Sequence, residues 1–403
     1  MTDSGTPTPS VLLIPGAPVS EYEHVGQGAR LAARYNPTGM FAAVHCLAPW
    51  EDAPPRQAHG MRIRRAPEFD IPNEVARLSP AVIRAENAEW AADLAVAQRP
   101  AGVPVVVYAR DPHPGKMRTS LRFADRVVCV SETVRREVLR KGVRPENTSV
   151  LYNRIDRDVF QPLAAGAPAV RAVRAQFPFG RVILHVGRRR PEKNIPTVVA
   201  ALAHLPSDYG AVFVGAGDEA PFVEEARRLG VAERCRWLAP VPNDDLPAWY
   251  AACDVFCVPS LWEAFGYIFA EAAACGAAIV TSDIGAMNEY LVHEESALLV
   301  QANRDPAALA AAIRRAAEDE DLRARLQANA PRAVQRFDRH LLEREEADLY
   351  RDIIARGPRR LTAVERVRYA FWRLCRSRPA WVLTHPWALP GILLRRLGRG
   401  GAA

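Results

Sequence analysis

The sequence predicts an α/β protein in which two doubly wound domains of parallel sheet face each other, followed by a helical tail. Its 403 residues exceed one ordinary domain and fit two of roughly 150–200 each. Short apolar runs alternate with longer amphipathic ones, the pattern of parallel strands covered by helices on both faces. Near the middle, residues 160–180 ("FQPLAAGAPAVRAVRAQFPFG") interrupt that rhythm, and their Ala, Pro and Gly content marks a linker. On this division residues 1–165 form the first domain, 176–335 the second and 336–403 the tail.

In the first half the strand signals are 11–14, 41–47, 103–109, 126–130 and 149–152, each a short aliphatic run. In the second half they are 182–186, 211–214, 235–238, 254–258, 277–282 and 297–300. Amphipathic stretches at 132–141, 195–205, 220–230 and 307–317 supply helices between them. After the strand at 254–258 comes the loop "PSLWEAFG", then a helix from about Tyr267 to Cys275, with Gly276 placed to end it. Sheets of this kind bind ligands beyond the carboxyl ends of their strands, so the loops there are the candidate binding elements.

Composition narrows the class. The start, "MTDSGTPTPSVLLIPG", has neither the basic region nor the apolar core of a signal peptide, and no 18-residue apolar run is present. The expected location is the cytosol, where the seven cysteines (46, 129, 235, 253, 257, 275, 375) are expected as reduced, buried thiols. Only Lys116, Lys141 and Lys193 are lysines among 53 basic residues. Residues 356–400 carry eleven arginines against Glu365, a net of +10; with +7 on the whole chain, the remainder carries −3. The high pI therefore reports a basic tail. No nucleic-acid motif accompanies these arginines.

Two glutamates frame the candidate chemistry. Glu263 lies in the loop before the helix, while Glu271 sits more than a turn inside it, among "YIFA" and "AAACG". Glu271 is either a solvated helix residue or a buried carboxylate that needs a partner. No Lys or Arg occurs between Arg236 and Arg304. An anion at this helix start would meet the amides of Phe265, Gly266 and Tyr267, with its cations supplied from elsewhere. "HVGRRRPEKN" (185–194) offers them, again between a strand end and a helix start. Arg188 is a planar fork and Lys193 a compact point charge, both suited to a diphosphate. The bland reading of Lys193 is a solvated lysine at a helix start. Asp254 at a strand start reads as structural, and no metal site is evident. "GAGDE" (215–219) reads as a tight strand–helix turn, and Glu289 in "GAMNEYL" reads as structural.

"HVGRRRPEKN", "VFVGAGDE", "RWLAPVPNDDLPAWYAACDVFCVPS", "WEAFGYIFAEAAACGAAIVTSDIGAMNEYL" and "SALLV" occur in the order seen in retaining glycosyltransferases of family 4, which the chain resembles closely over residues 180–320. The resemblance implies the GT-B fold: two facing Rossmann-like domains, with the first tail helix crossing back to the N-terminal one. It implies that Glu263 contacts hydroxyls of a donor sugar and Glu271 the ribose of its nucleotide. Arg188 and Lys193, with Gly187, match the diphosphate site, and Phe265, Gly266 and Tyr267 match the phosphate and sugar loop. The implied reaction moves a sugar from a nucleoside diphosphate to an acceptor with retention, needing neither metal nor cofactor. The acceptor expected is a saccharide or lipid-linked saccharide of the cell envelope.

The first half departs from the family pattern. Its first loop has Gly16, Gly26 and Gly28 but no adjacent pair. Arg110 and Asp111 stand where "HD" is frequent, with His113 three residues late, so either Arg110 replaces the histidine near the sugar or His113 swings in. Arg154 stands where Gly is usual. Two rivals follow: a nucleotide-sugar-binding protein of the same fold that has lost transfer, and a sugar-nucleotide epimerase. In the tail, Val364, Val367, Phe371 and Leu374 share one helical face, with Arg366, Arg373 and Arg376 around it. Residues 360–400 are thus either an element for an anionic membrane surface, which would place the protein on the inner face of the cytoplasmic membrane, or a helix packed on the N-terminal domain.

Overall fold

The computed structural model describes residues 8–24, 31, 34–301 and 303–376. The first sheet holds β1 (Ser10–Ile14), β2 (Ala43–Ala48), β3 (Arg56–Ala58), β4 (Met61–Arg65), β5 (Val82–Ala85), β6 (Val105–Ala109), β7 (Arg126–Cys129) and β8 (Thr148–Val150). Their order is β3-β4-β2-β1-β5-β6-β7-β8, parallel except for the β3–β4 pair at one edge. The second sheet holds β9 (Arg181–Val186), β10 (Tyr209–Val214), β11 (Cys235–Leu238), β12 (Val255–Val258), β13 (Ile279–Ser282) and β14 (Leu298–Val300). It is wholly parallel, in the order β11-β10-β9-β12-β13-β14. Strand order reverses at β1/β5 in one sheet and at β9/β12 in the other, the positions beyond which doubly wound sheets bind ligands.

Central strands are buried on both faces because helices cover both; all four of Val11, Leu12, Leu13 and Ile14 are inaccessible. One hydrophobic core lies around the first sheet and continues into the cleft-facing side of the second through Phe265, Phe269 and Tyr290. A separate core fills the outer side of the second sheet around Val198, Phe213 and Ile313.

Residues 160–180 are not a bare linker. They contain a helix, Pro168–Arg174, with proline at its start and Val170 and Val173 buried. Phe177 just beyond it packs on Trp249, ring centroids 5.9 Å apart.

Past the second sheet the chain returns to the first. Ile155 bridges Asp338, and the helix Arg339–Arg356 begins there, capped by the Asp338 carboxylate on the amides of His340 and Leu341. Its Glu346 meets the buried Arg84 at 2.9 Å and also contacts Arg154 and the Tyr108 hydroxyl. The next helix, Ala363–Arg376, also packs on the first domain. Tyr369 and Trp372 meet Phe123, and Arg376 pairs with Asp93 and Glu68. The face expected to be apolar is not the one that packs: Val364, Val367, Phe371 and Leu374 are 60–70% exposed. The rest of the proposed interfacial tail, 377–403, lies outside the described residues, as do Gly26 and Gly28. No helix among the described residues is long and apolar enough to cross a membrane. All seven cysteines are unpaired, but only five are buried; Cys253 is half-buried and Cys375 exposed, because its helix touches the domain on one side only.

Candidate functional site

The carboxyl ends of β9 and β12 are adjacent, so the loops that follow them build one site. After β9 the chain passes through Gly187 and Arg188 to a single turn, Pro191–Lys193, and then to the helix Ile195–Leu202. The "GAGDE" turn braces this loop. A Cβ at Gly215 would fall 1.9 Å from the Gly187 carbonyl oxygen, so two backbones meet where no side chain fits. Arg189 is consumed in the same support, donating to the carbonyls of Gly217 at 3.1 Å and Leu238 at 3.0 Å. Arg188 beside it is exposed and has no ion pair among the described residues. Asn194 locks the loop to its neighbour, donating to Pro259 O at 3.1 Å and Asn303 O at 2.6 Å.

Across from it, Lys193 Nζ donates to Glu263 Oε1 at 2.6 Å, and Ser260 Oγ donates to the same oxygen at 2.9 Å. The pair is mostly buried, with side-chain exposures of 16% and 12%. Glu263 Oε2 accepts from nothing among the described residues. The Lys193 ammonium also lies 5.9 Å from the ring centre of Phe269, one turn into the next helix.

That helix, Tyr267–Ala274, starts at Gly266, which is left-handed at φ 82°. Tyr290 shares its hydroxyl between the carbonyls of Phe265 (3.1 Å) and Gly266 (3.2 Å). With the carbonyls held back, the amides of Phe265, Gly266 and Tyr267 donate to no acceptor among the described residues. The result is a short row of free donors at the positive end of a helix, a ready anion site. Phe265 is buried, ringed by Tyr152, Tyr290 and Phe337, while Tyr267 is 44% exposed. Glu271, in the second turn, is 8% exposed and so is not a solvated helix residue. It adjoins Tyr250, whose hydroxyl is pushed well above its ordinary pKa by burial and then by the Glu271 charge.

On the first domain Arg110 belongs to a different cluster. It donates to Glu86 at 3.0 Å and to Asn153 at 3.0 Å, while Arg34 and Arg84 reach the same glutamate. Burial alone would raise the Glu86 carboxyl; Arg110, Arg84 and Arg34 outweigh it and hold it well below the usual carboxylate range. Arg34 and Tyr267 come near each other across the cleft. His113 is spent locally, accepting from the Gly115 amide. Asp254 accepts from the Val182 amide at 2.7 Å and fastens β12 to β9.

The structure thus brings Gly187, Lys193, Glu263, Phe265, Gly266 and Tyr267 together with exposed Arg188 beside them, sets Glu271 one turn deeper, and places Arg110 with Glu86 opposite. Sequence reading missed Ser260, Asn194, Tyr290 and Glu86. Asn194 alone carried a local signal, as a capping residue type directly after Lys193.

Residues 33–159 match the model "Glycosyltransferase Family 4" and residues 171–333 match "Glycosyl transferases group 1". The chain is 32% identical over 257 residues to the D-inositol 3-phosphate glycosyltransferase of Salinispora tropica, covering 59% of this chain and 53% of that one. It is 29% identical over 396 residues to the protein of the same name from Acidothermus cellulolyticus, covering 84% and 87%. The match spans about half the length of the Salinispora tropica relative. In structure it superposes on Anabaena Alr3699/HepE in complex with UDP (TM-score 0.73, 22% identity, 86% of this chain and 100% of that one). Sucrose-phosphate synthase from Thermosynechococcus elongatus superposes with a TM-score of 0.71 at 21% identity, covering 86% and 99%.

Proposed function

From a GT-B chain whose two halves match glycosyltransferase family models, we propose a glycosyltransferase that takes its sugar from a nucleoside diphosphate and transfers it with retention. The observation that carries this is the pairing of free helix-start amides with the Lys193–Glu263 contact, one turn from the buried Glu271. The diphosphate takes the amides, Lys193 and Arg188; Glu263, with one oxygen open, accepts from the sugar; Glu271 accepts from the ribose.

In the reaction the bond from the anomeric carbon to the phosphate oxygen breaks and a bond to the acceptor oxygen forms on the same face. The acceptor's proton passes to the departing phosphate. Negative charge grows on the leaving diphosphate, where fixed donors in a partly closed site stabilise it without reorganising. Arg110, tied to Glu86, positions the acceptor side of the sugar. The acceptor proposed is a saccharide or lipid-linked saccharide of the cell envelope; the relatives' name makes inositol 3-phosphate a second candidate to assay.

The test is calorimetric titration with UDP, GDP, ADP and CDP of the wild type and Glu271→Ala. One nucleotide is expected to bind, with affinity falling at least about tenfold, some 1.4 kcal/mol, in the variant. Equal binding by both proteins would remove Glu271 from the donor site; no binding of any nucleotide would remove the proposal.

A further inference from the structure

An open cavity of about 490 Å³ lies beyond β1 and β2, lined by Gly16, Pro18, Glu21, Trp50, Asp52 and Trp90. Trp50 is 53% exposed, and its ring sits 4.1 Å from that of Trp90 at 79°, so the indoles form a right-angled corner. An exposed tryptophan alone signifies little. This one is fixed. Its neighbour Glu51 is fully buried and accepts from the Val19 amide at 2.8 Å, with Arg56 at 3.4 Å on its other oxygen, which pins the loop after β2 to the loop after β1. Trp90 is fixed from the other side, where Asn87 accepts from the amides of Glu89 and Ala91 at 3.0 and 3.1 Å.

Glu21 and Asp52 line the same cavity, both exposed, and neither has an ion pair among the described residues of a chain with 50 arginines. Two exposed carboxylates around an aromatic corner disfavour a lipid chain, which cannot satisfy them, and repel a phosphate. They suit a ring with an apolar C–H face and hydroxyls at its rim: the face lies on an indole and the hydroxyls donate to the carboxylates, which only accept. The cavity also adjoins the cleft, since a Cβ at Gly16 would stand 3.5 Å from the carbonyl of Glu86, the residue that holds Arg110.

We propose that the Trp50–Trp90 corner is an acceptor subsite that stacks a neutral pyranose ring of an oligosaccharide, with Glu21 and Asp52 accepting its hydroxyls. This rests on the glycosyltransferase reading for its purpose, not for its binding. The test titrates maltotriose, cellotriose, chitotriose and mannotriose, each to about 10 mM, into wild type, Trp50→Ala and Asp52→Asn, following tryptophan emission and heat. UDP, GDP, ADP and CDP are titrated separately. At least one trisaccharide is expected to bind with an emission shift, about tenfold more weakly to each variant, while the affinity for whichever nucleotide binds stays constant. Binding of none of the four, or equal binding by Trp50→Ala and wild type, overturns the subsite. Trisaccharide binding without any nucleotide binding would sink the transferase reading and leave the subsite standing.

Discussion

His185 is 1% exposed on β9, with its Nε2 3.3 Å from the Lys193 carbonyl oxygen. Burial, with the nearby Lys193 charge, pulls its pKa down to about 4. A histidine neutral in the fold but protonated at about 6.5 when unfolded contributes stability that is intact above pH 6.5 and is lost as pH falls toward 4. Between pH 7 and pH 5 this one residue should cost about 2 kcal/mol. Urea unfolding of wild type and His185→Gln at the two pH values should show the wild type losing about 2 kcal/mol more than the variant; parallel losses would mean that the histidine titrates normally. At this scale the sequence was legible where a residue type was conspicuous locally, as with Lys193 among arginines or two acids flanking an aromatic loop. It was silent on Glu86 and Ser260, whose roles depend on partners such as Arg110 and Glu263 that only folding brings near.

For elements, the helix Tyr267–Ala274 was readable to within a residue because a glycine bounds it at each end. Gly266 does more than bound it. At φ 82° its Cβ would stand 2.6 Å from Met287 Cε and 2.7 Å from Phe269 Cδ2. Gly266→Ala combines a left-handed penalty of about 1 kcal/mol with overpacking of about 1–3, so a loss of some 2–4 kcal/mol is expected in denaturant unfolding. A loss under about 0.5 kcal/mol would show that the helix start relaxes freely. Two of the strands that escaped the sequence share one feature. β4, "MRIRR", and β5, "VIRA", carry arginines inside the strand and so break the apolar run. In β5 the guanidinium of Arg84 is fully buried between Glu86 and Glu346 and lies 4.0 Å over the Tyr108 ring, so only Glu86, two residues on, is a local partner and the rest of its surroundings come from residues distant in sequence. The helix Pro168–Arg174 was hidden by the opposite fault, since its Ala- and Pro-rich composition imitates a linker.

For the whole molecule, the proposed transfer requires a donor on one domain and an acceptor on the other at bonding distance, so on that reading the contacts that set the cleft carry catalytic consequence. Glu289, in the second domain, supplies the most specific of them. Its carboxylate accepts from the amides of Glu132 (2.9 Å) and Thr133 (2.7 Å), the first two residues of a helix in the first domain. Ser131 takes the third amide, that of Val134, at 3.1 Å. One domain therefore completes the helix cap of the other, with a charge of the sign that a helix start favours. Glu289→Ala leaves the donor-side residues untouched but frees two amides and removes charge-assisted bonds worth about 1.5–3 kcal/mol each. Nucleotide affinity should stay unchanged, hydrogen exchange at Glu132 and Thr133 should accelerate, and the transfer efficiency, kcat/KM, should fall about tenfold as the cleft widens. Small-angle scattering should record the same change as a larger maximum dimension. If exchange accelerates while transfer holds, the carboxylate is a helix cap that happens to cross the cleft, and the register of the domains is set instead by the ring cluster of Tyr152, Phe265 and Phe337.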